Sequence, residues 1–140
     1  MYTPTDNGPD PYVTNVRMEA LRNDNYRAAI WTGNHMQATV MSIPPGSDIG
    51  LEVHPEVDQF IYIMQGRGVA QMGSTKNNLT LMAPVGAGDG VFVPMGTWHN
   101  VTNAGRTPIK ILTFYAPPQH PAGTVHPTKA DAEAEGRMGQ

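Results

Sequence analysis

Between Tyr26 and Tyr115 the hydrophobic positions fall in short runs: "YRAAIW", "MQATVMSI", "IGLEV", "QFIYIM", "GVAQM", "LTLM", "GVFV", "WHNVTN" and "IKILTFY". Turn-forming residues separate them, among them Gly33-Asn34, Pro44-Pro45-Gly46, Pro55, Gly66, Gly73, Gly88, Pro94, Gly96 and Gly105. Strands this short and this evenly spaced predict an all-β domain, an antiparallel sandwich or barrel. Several runs are apolar at every position, as in Phe60-Ile61-Tyr62-Ile63-Met64. Such a strand is covered on both faces. One face should line a barrel, and the other should meet a second sheet or a partner subunit.

The flanks read differently. Residues 1–13 are polar and rich in proline and glycine, an arm without a core of its own. "TNVRMEALRND" (14–24) suggests a short helix capped by Thr14 or Asn15, with Val16, Met18, Ala20 and Leu21 as its apolar contacts. After Tyr115 the prolines of "APPQHPAGTVHPTK" forbid a regular element. Thr128 followed by Asp131 resembles a helix N-cap and predicts a short helix over roughly 129–135. The expected organisation is an arm over 1–25, a barrel over 26–116 and a proline-rich tail over 117–140. No internal repeat breaks it.

Composition narrows the function. The chain has 140 residues and a net charge of −3, with no basic block, so nucleic acid is not an expected partner. It has no cysteine, which excludes thiolate metal sites and cysteine nucleophiles. No apolar run approaches the ~20 residues that span a bilayer, and the first residues do not form a signal peptide. The expectation is a cytoplasmic protein that does not enter membranes. No serine sits in a nucleophile-elbow setting, which leaves little support for a serine hydrolase.

The candidate chemistry lies in two stretches. In "LEVHPEVDQF" (51–60), Glu52 and His54 are two apart, so on a strand both face one side. Gln59 opens the next run, on the face shared with Ile61 and Ile63. The second stretch runs Gly88, five residues, Pro94-x-Gly96, two residues, His99, three residues, Asn103. It resembles the second signature of the cupin family at every fixed position. The first cupin signature also lays on this chain without a gap: Gly46, five residues, Glu52-x-His54, four residues, Gln59, six residues, Gly66. Glu52 stands where that signature has its first histidine, and Gln59 where it has its glutamate.

The resemblance implies a cupin double-stranded β-helix, or jelly-roll barrel, with Glu52, His54, Gln59 and His99 as ligands of a divalent metal. Manganese, iron, nickel, cobalt and zinc are not distinguished. Three neutral histidines and a glutamate carry −1, and so does this set with Glu52 ionised. The carboxylate has moved, but the charge offered to a cation is unchanged, and mixed nitrogen and oxygen ligands suit a divalent ion. A rival register puts Glu56 in place of Glu52, next to a proline turn. His35 reads as an exposed hairpin residue. His120 and His126 read as structural residues of the tail, the alternative being that the tail folds over the barrel mouth or a neighbour.

The chain as a whole is similar to small single-domain cupins of the mannose-6-phosphate isomerase-like type. That likeness implies a small-molecule ligand, a homodimer, and an enzyme of isomerase or dioxygenase type acting on a sugar or oxyacid. The alternative is a non-catalytic binding protein with a structural metal or none. Fold alone does not choose between them, and no general base outside the ligands stands out.

Overall fold

Alternation sorts the strands onto two sheets. In the computed structural model, which describes residues 2–138, the elements are α1 (Val16–Arg22), β1 (Arg27–Thr32), β2 (Gln37–Ile43), β3 (Asp58–Gln65), β4 (Arg67–Gly73), β5 (Leu81–Gly86), β6 (Gly90–Val93), β7 (Trp98–Asn103), β8 (Ile109–Ala116), β9 (Val125–His126) and α2 (Lys129–Met138). One sheet has the order β6-β3-β8-β2-β1-β9 and the other β5-β4-β7. Every named pair is antiparallel. This is the expected all-β jelly roll.

The larger sheet has a polarity gradient on its inner face. Ile63, Ile111 and Met41 form one row across β3, β8 and β2, and Gln59, Tyr115 and Gln37 form another toward the opposite end. The first row belongs to the main core with Ile43, Ile61, Val91, Val101 and Ile109. Burying each such aliphatic side chain is worth roughly 1.5–3 kcal/mol. The core therefore sits at one end of the barrel, and the polar row opens the other end to chemistry.

The outer face of this sheet is the second apolar surface that the continuous runs require. Ala28, Ile30, Ala38, Val40, Met64 and Leu112 pack there with Ala20 of α1. Of the contacts expected for this helix, Ala20 is fully buried, whereas Val16 and Met18 stay exposed. Glu19 takes a larger part, because its carboxylate accepts hydrogen bonds from the hydroxyls of Tyr2, Tyr12 and Thr14. Asn15 caps the helix by accepting from the Met18 N–H.

The run "IGLEV" departs from expectation. It forms no strand and touches β7 only through isolated bridges, Asp48 to Thr102 and Glu52 to His99. Gly50 sits between them at φ +89°, a left-handed conformation that interrupts the ladder. The tail helix begins with the Thr128–Asp131 capping box and runs past residue 135 to Met138.

Candidate metal centre and its cavity

Each ligand candidate is placed by backbone that the turns fix. The Glu52 N–H donates to His99 O, and the His99 N–H donates back to Glu52 O. Gly96 adopts φ +79°, and its N–H donates to His54 O at 2.8 Å, tying the Pro94-x-Gly96 turn to the first stretch. The Met95 N–H donates to Asp58 Oδ1, which fixes the start of β3 beside the same turn. Glu52, His54 and His99 then converge, with one ligand atom from each lying within 4.8 Å of the others. His54 Nε2 is 3.2 Å and His99 Nε2 is 3.6 Å from Glu52 Oε1. The two imidazole rings are 5.3 Å apart.

The protonation pattern suits a cation. His99 Nδ1 lies 3.0 Å from Thr97 O, which only accepts, so this nitrogen carries the proton. In the neutral ring Nε2 then has a free lone pair on the Glu52 side, and it has no hydrogen-bond partner among the described residues. Burial would raise the Glu52 pKa, but the His54 contact and the Arg27 charge hold it well below the usual carboxylate range. Gln59 is buried on β3, and its Oε1 also lacks a hydrogen-bond partner among the described residues. The His99 Nε2 lone pair and the ionised Glu52 carboxylate, 3.6 Å apart, repel unless a cation lies between them. The residues present therefore fit a divalent ion.

Glu56 is exposed in the Pro55-Glu56 turn and is not part of this cluster. His35 is exposed in the β1–β2 connection. Asn103, the last fixed position of the second signature, serves structure: its Nδ2 donates to Ile43 O and Thr107 O, and its Oδ1 accepts from the Gly105 N–H.

A cavity of about 770 Å³ opens beside Glu52. Its walls are Tyr26, Arg27 and the tail residues His120 and His126, with Lys129 and Glu135 toward α2. The tail does fold over the barrel. Buried Gln37 holds it: the Nε2 group donates to His120 O, and Oε1 accepts from the Gln119 and His120 N–H groups. His126 pairs with Arg27 across β9 and β1. Its Nδ1 lies 3.3 Å from Arg27 Nη1, which only donates, and its Nε2 lies 2.8 Å from Glu135. His126 therefore accepts at Nδ1 and donates from Nε2 as a neutral ring. His120 is T-shaped against both Tyr115 and His126. Burial, reinforced by the Arg27 charge, pushes its pKa down to about 3. Tyr115 stands edge-on to His54 at 5.8 Å, and burial raises its pKa although Arg27 pulls the other way.

Arg27 and Tyr115 are the site neighbours that sequence patterning passed over, whereas His120 and His126, read as structural residues of the tail, take the other reading and line the cavity where the tail folds over the barrel. For Arg27 one signal existed, a charge inside the otherwise apolar run "YRAAIW". For His120 and His126 the pairing of β9 is long-range and leaves no local pattern.

The fold agrees with the comparisons. The cupin domain profile matches residues 39–115, and the chain belongs to the cupin family. It is 53% identical over 129 residues to an uncharacterised protein of Bacillus subtilis, covering 92% of this chain and 69% of that one. The crystal structure of a Bacillus halodurans protein superposes with a TM-score of 0.92 at 52% identity, covering 93% of this chain and 98% of that chain. A predicted oxalate decarboxylase from Thermotoga maritima is similar at a TM-score of 0.52 and 28% identity, covering 61% and 69%.

Proposed function

We propose that this chain is a metal-dependent cupin enzyme in which Glu52, His54, Gln59 and His99 hold one divalent ion beside a small polar organic substrate. The observation that carries this reading is the convergence of Glu52, His54 and His99, with one ligand atom from each within 4.8 Å of the others and His99 Nε2 without a hydrogen-bond partner among the described residues. A divalent ion there would supply Lewis acidity toward a carbonyl or enediol oxygen, and a redox-active one would add dioxygen chemistry. The cavity reaches Glu52, whose side chain is 29% exposed, which supports a centre open to substrate rather than a closed structural one. The similarity to the Thermotoga protein supports small-molecule chemistry on this frame.

The chain's own residues shape that chemistry. The Tyr115 hydroxyl keeps its proton at neutral pH, and His120 Nε2 lies 3.4 Å from it as an uncharged ring. Of the two, His120 lines the cavity, where it adds a polar edge without charge. The tail excludes bulk water from that side of the cavity.

Elemental analysis of the purified protein tests the reading. About one divalent ion per chain is expected, lost on Glu52→Ala and retained on Glu56→Ala. A metal-free protein after growth in supplemented medium would sink it. Loss of metal with Glu56→Ala alone would move the ligand set.

The reading extends to a pair of copies. Phe92 is 73% exposed and stacks on Phe60, which in turn stacks on Phe114 and Tyr62, an aromatic strip on the outer sheet face that supports a homodimer.

A further inference from the structure

Arg27 is not among the metal ligands, and although its charge reaches Glu52, its own burial still needs explaining. It lies on β1 and is 5% exposed, and its guanidinium is 5.1 Å from the Tyr26 ring centroid. One nitrogen meets His126 Nδ1, and the Nε–H has no acceptor among the described residues. No carboxylate forms an ion pair with it among those residues, and a buried charge left in that state is expensive.

The groups around it leave the charge unbalanced. His126 and His120 are neutral rings, and the Tyr26 phenol, pushed up to about 12 by burial, stays protonated. Glu52 is the nearby anion, and it is engaged by the histidines of the centre. Three further carboxylates line the cavity, and each is engaged by another group. Asp48 and Glu133 face Lys129, and Glu135, whose side chain is 56% exposed, accepts from His126. The cavity wall thus holds one buried cation with an unpartnered Nε–H among the described residues, and it shares that cavity with the edge of the metal centre.

We propose that Arg27 anchors a carboxylate of the substrate, so that the ligand of this cavity is a small carboxylic acid with a second oxygen function directed at Glu52 and the histidines. The planar guanidinium matches a carboxylate with parallel N–H donors. One cation balances one negative charge. A phosphate monoester carries close to two at neutral pH, and the other cation of the lining among the described residues, Lys129, is already taken by Asp48 and Glu133. The anchor deepens the proposed function and rests on its reading of the cavity as the substrate site.

Calorimetric titration of the full-length, metal-treated protein with lactate, oxalate, methyl lactate and inorganic phosphate tests the anchor. Lactate and oxalate are expected to bind at least tenfold more tightly than methyl lactate and phosphate. Arg27→Lys and Arg27→Met are expected to remove that preference at unchanged metal content. Equal binding of the acid and its ester, tighter binding of phosphate, no binding of either acid, or an acid preference that survives in both variants overturns the proposal. The acid–ester comparison in the unaltered chain needs no variant to fold. If the metal assay fails while Arg27-dependent acid binding remains, the metal reading falls and the anchor stands.

Discussion

Gln59 shows how a single side chain can be costly in one state and useful in another. Its buried Oε1 has no hydrogen-bond partner, a deficit of about 1–3 kcal/mol for a polar atom removed from water. Gln59→Leu keeps much of the volume and removes that deficit. The metal-free variant is expected to melt at a temperature equal to or above that of the parent, while metal affinity falls about tenfold or more as an oxygen ligand disappears. A variant that melts lower and binds metal as tightly would make the amide a structural residue. The place of Gln59 was readable in the sequence because Gly46 and Gly66 bracket it at fixed intervals, and its burial beside Tyr115 agrees. Arg27 was not readable to the same degree. Strand alternation says which residues share a face, but not that a charged one faces inward without a counterion.

At the scale of elements, the tail is the part most sensitive to pH. His120 is held neutral in the folded protein, with a pKa of about 3 against an ordinary value of 6.5. Between those values the released tail binds more protons than the docked one, so docking is fully favoured above about pH 6.5 and weakens as pH falls toward 3. The slope is about 1.4 kcal/mol per pH unit for one such group. The protection factors of the amides over 117–127, which are corrected for the pH dependence of intrinsic exchange, are expected to fall on going from pH 7 to pH 5. His120→Phe, which keeps an aromatic ring without a titrating nitrogen, should flatten that response. An equally steep response in the variant would place the switch elsewhere. The barrel strands were legible because each run obeys a local period. The "IGLEV" run was misread because Gly50 breaks its ladder, while the helix α1 and its Asn15 cap were legible and only its docking, which uses Glu19 beside Ala20, was not. The docking of the tail depends on Gln37, eighty residues away in the chain, and no periodicity reports such a contact.

For the whole molecule, the turn spacing and doubly apolar strands were enough to give the architecture, because a jelly roll is the consistent burial of those runs. What covers the outer sheet was only half legible. Runs such as "FIYIM" demand a cover without naming it, and α1 supplies part of it. The aromatic strip at Phe92 and Phe60 is what α1 leaves over. Sedimentation analysis is expected to show a dimer that Phe92→Glu weakens at least tenfold, since the charge would be forced into an apolar contact. A parent chain that sediments as a monomer at tens of micromolar (roughly the range where weak interfaces fail) would end that reading. Among the described residues no helix is long and apolar enough to cross a membrane.

The order of the elements along the chain has one more consequence, and it concerns synthesis. Glu52, His54, Gln59 and His99 all precede the tail, and β8, which joins β3 to β2 in the larger sheet, is also made before it. Chains emerge N-terminus first, at about 5–20 residues per second. The proposed ligands are therefore made before His120, His126 and α2, which wall the cavity. Asp6 must likewise wait for Gly123 before its carboxylate can accept that residue's N–H and join the arm to the tail. On the proposed function, a newborn chain would have its ion's ligands in hand before the roof over them is laid.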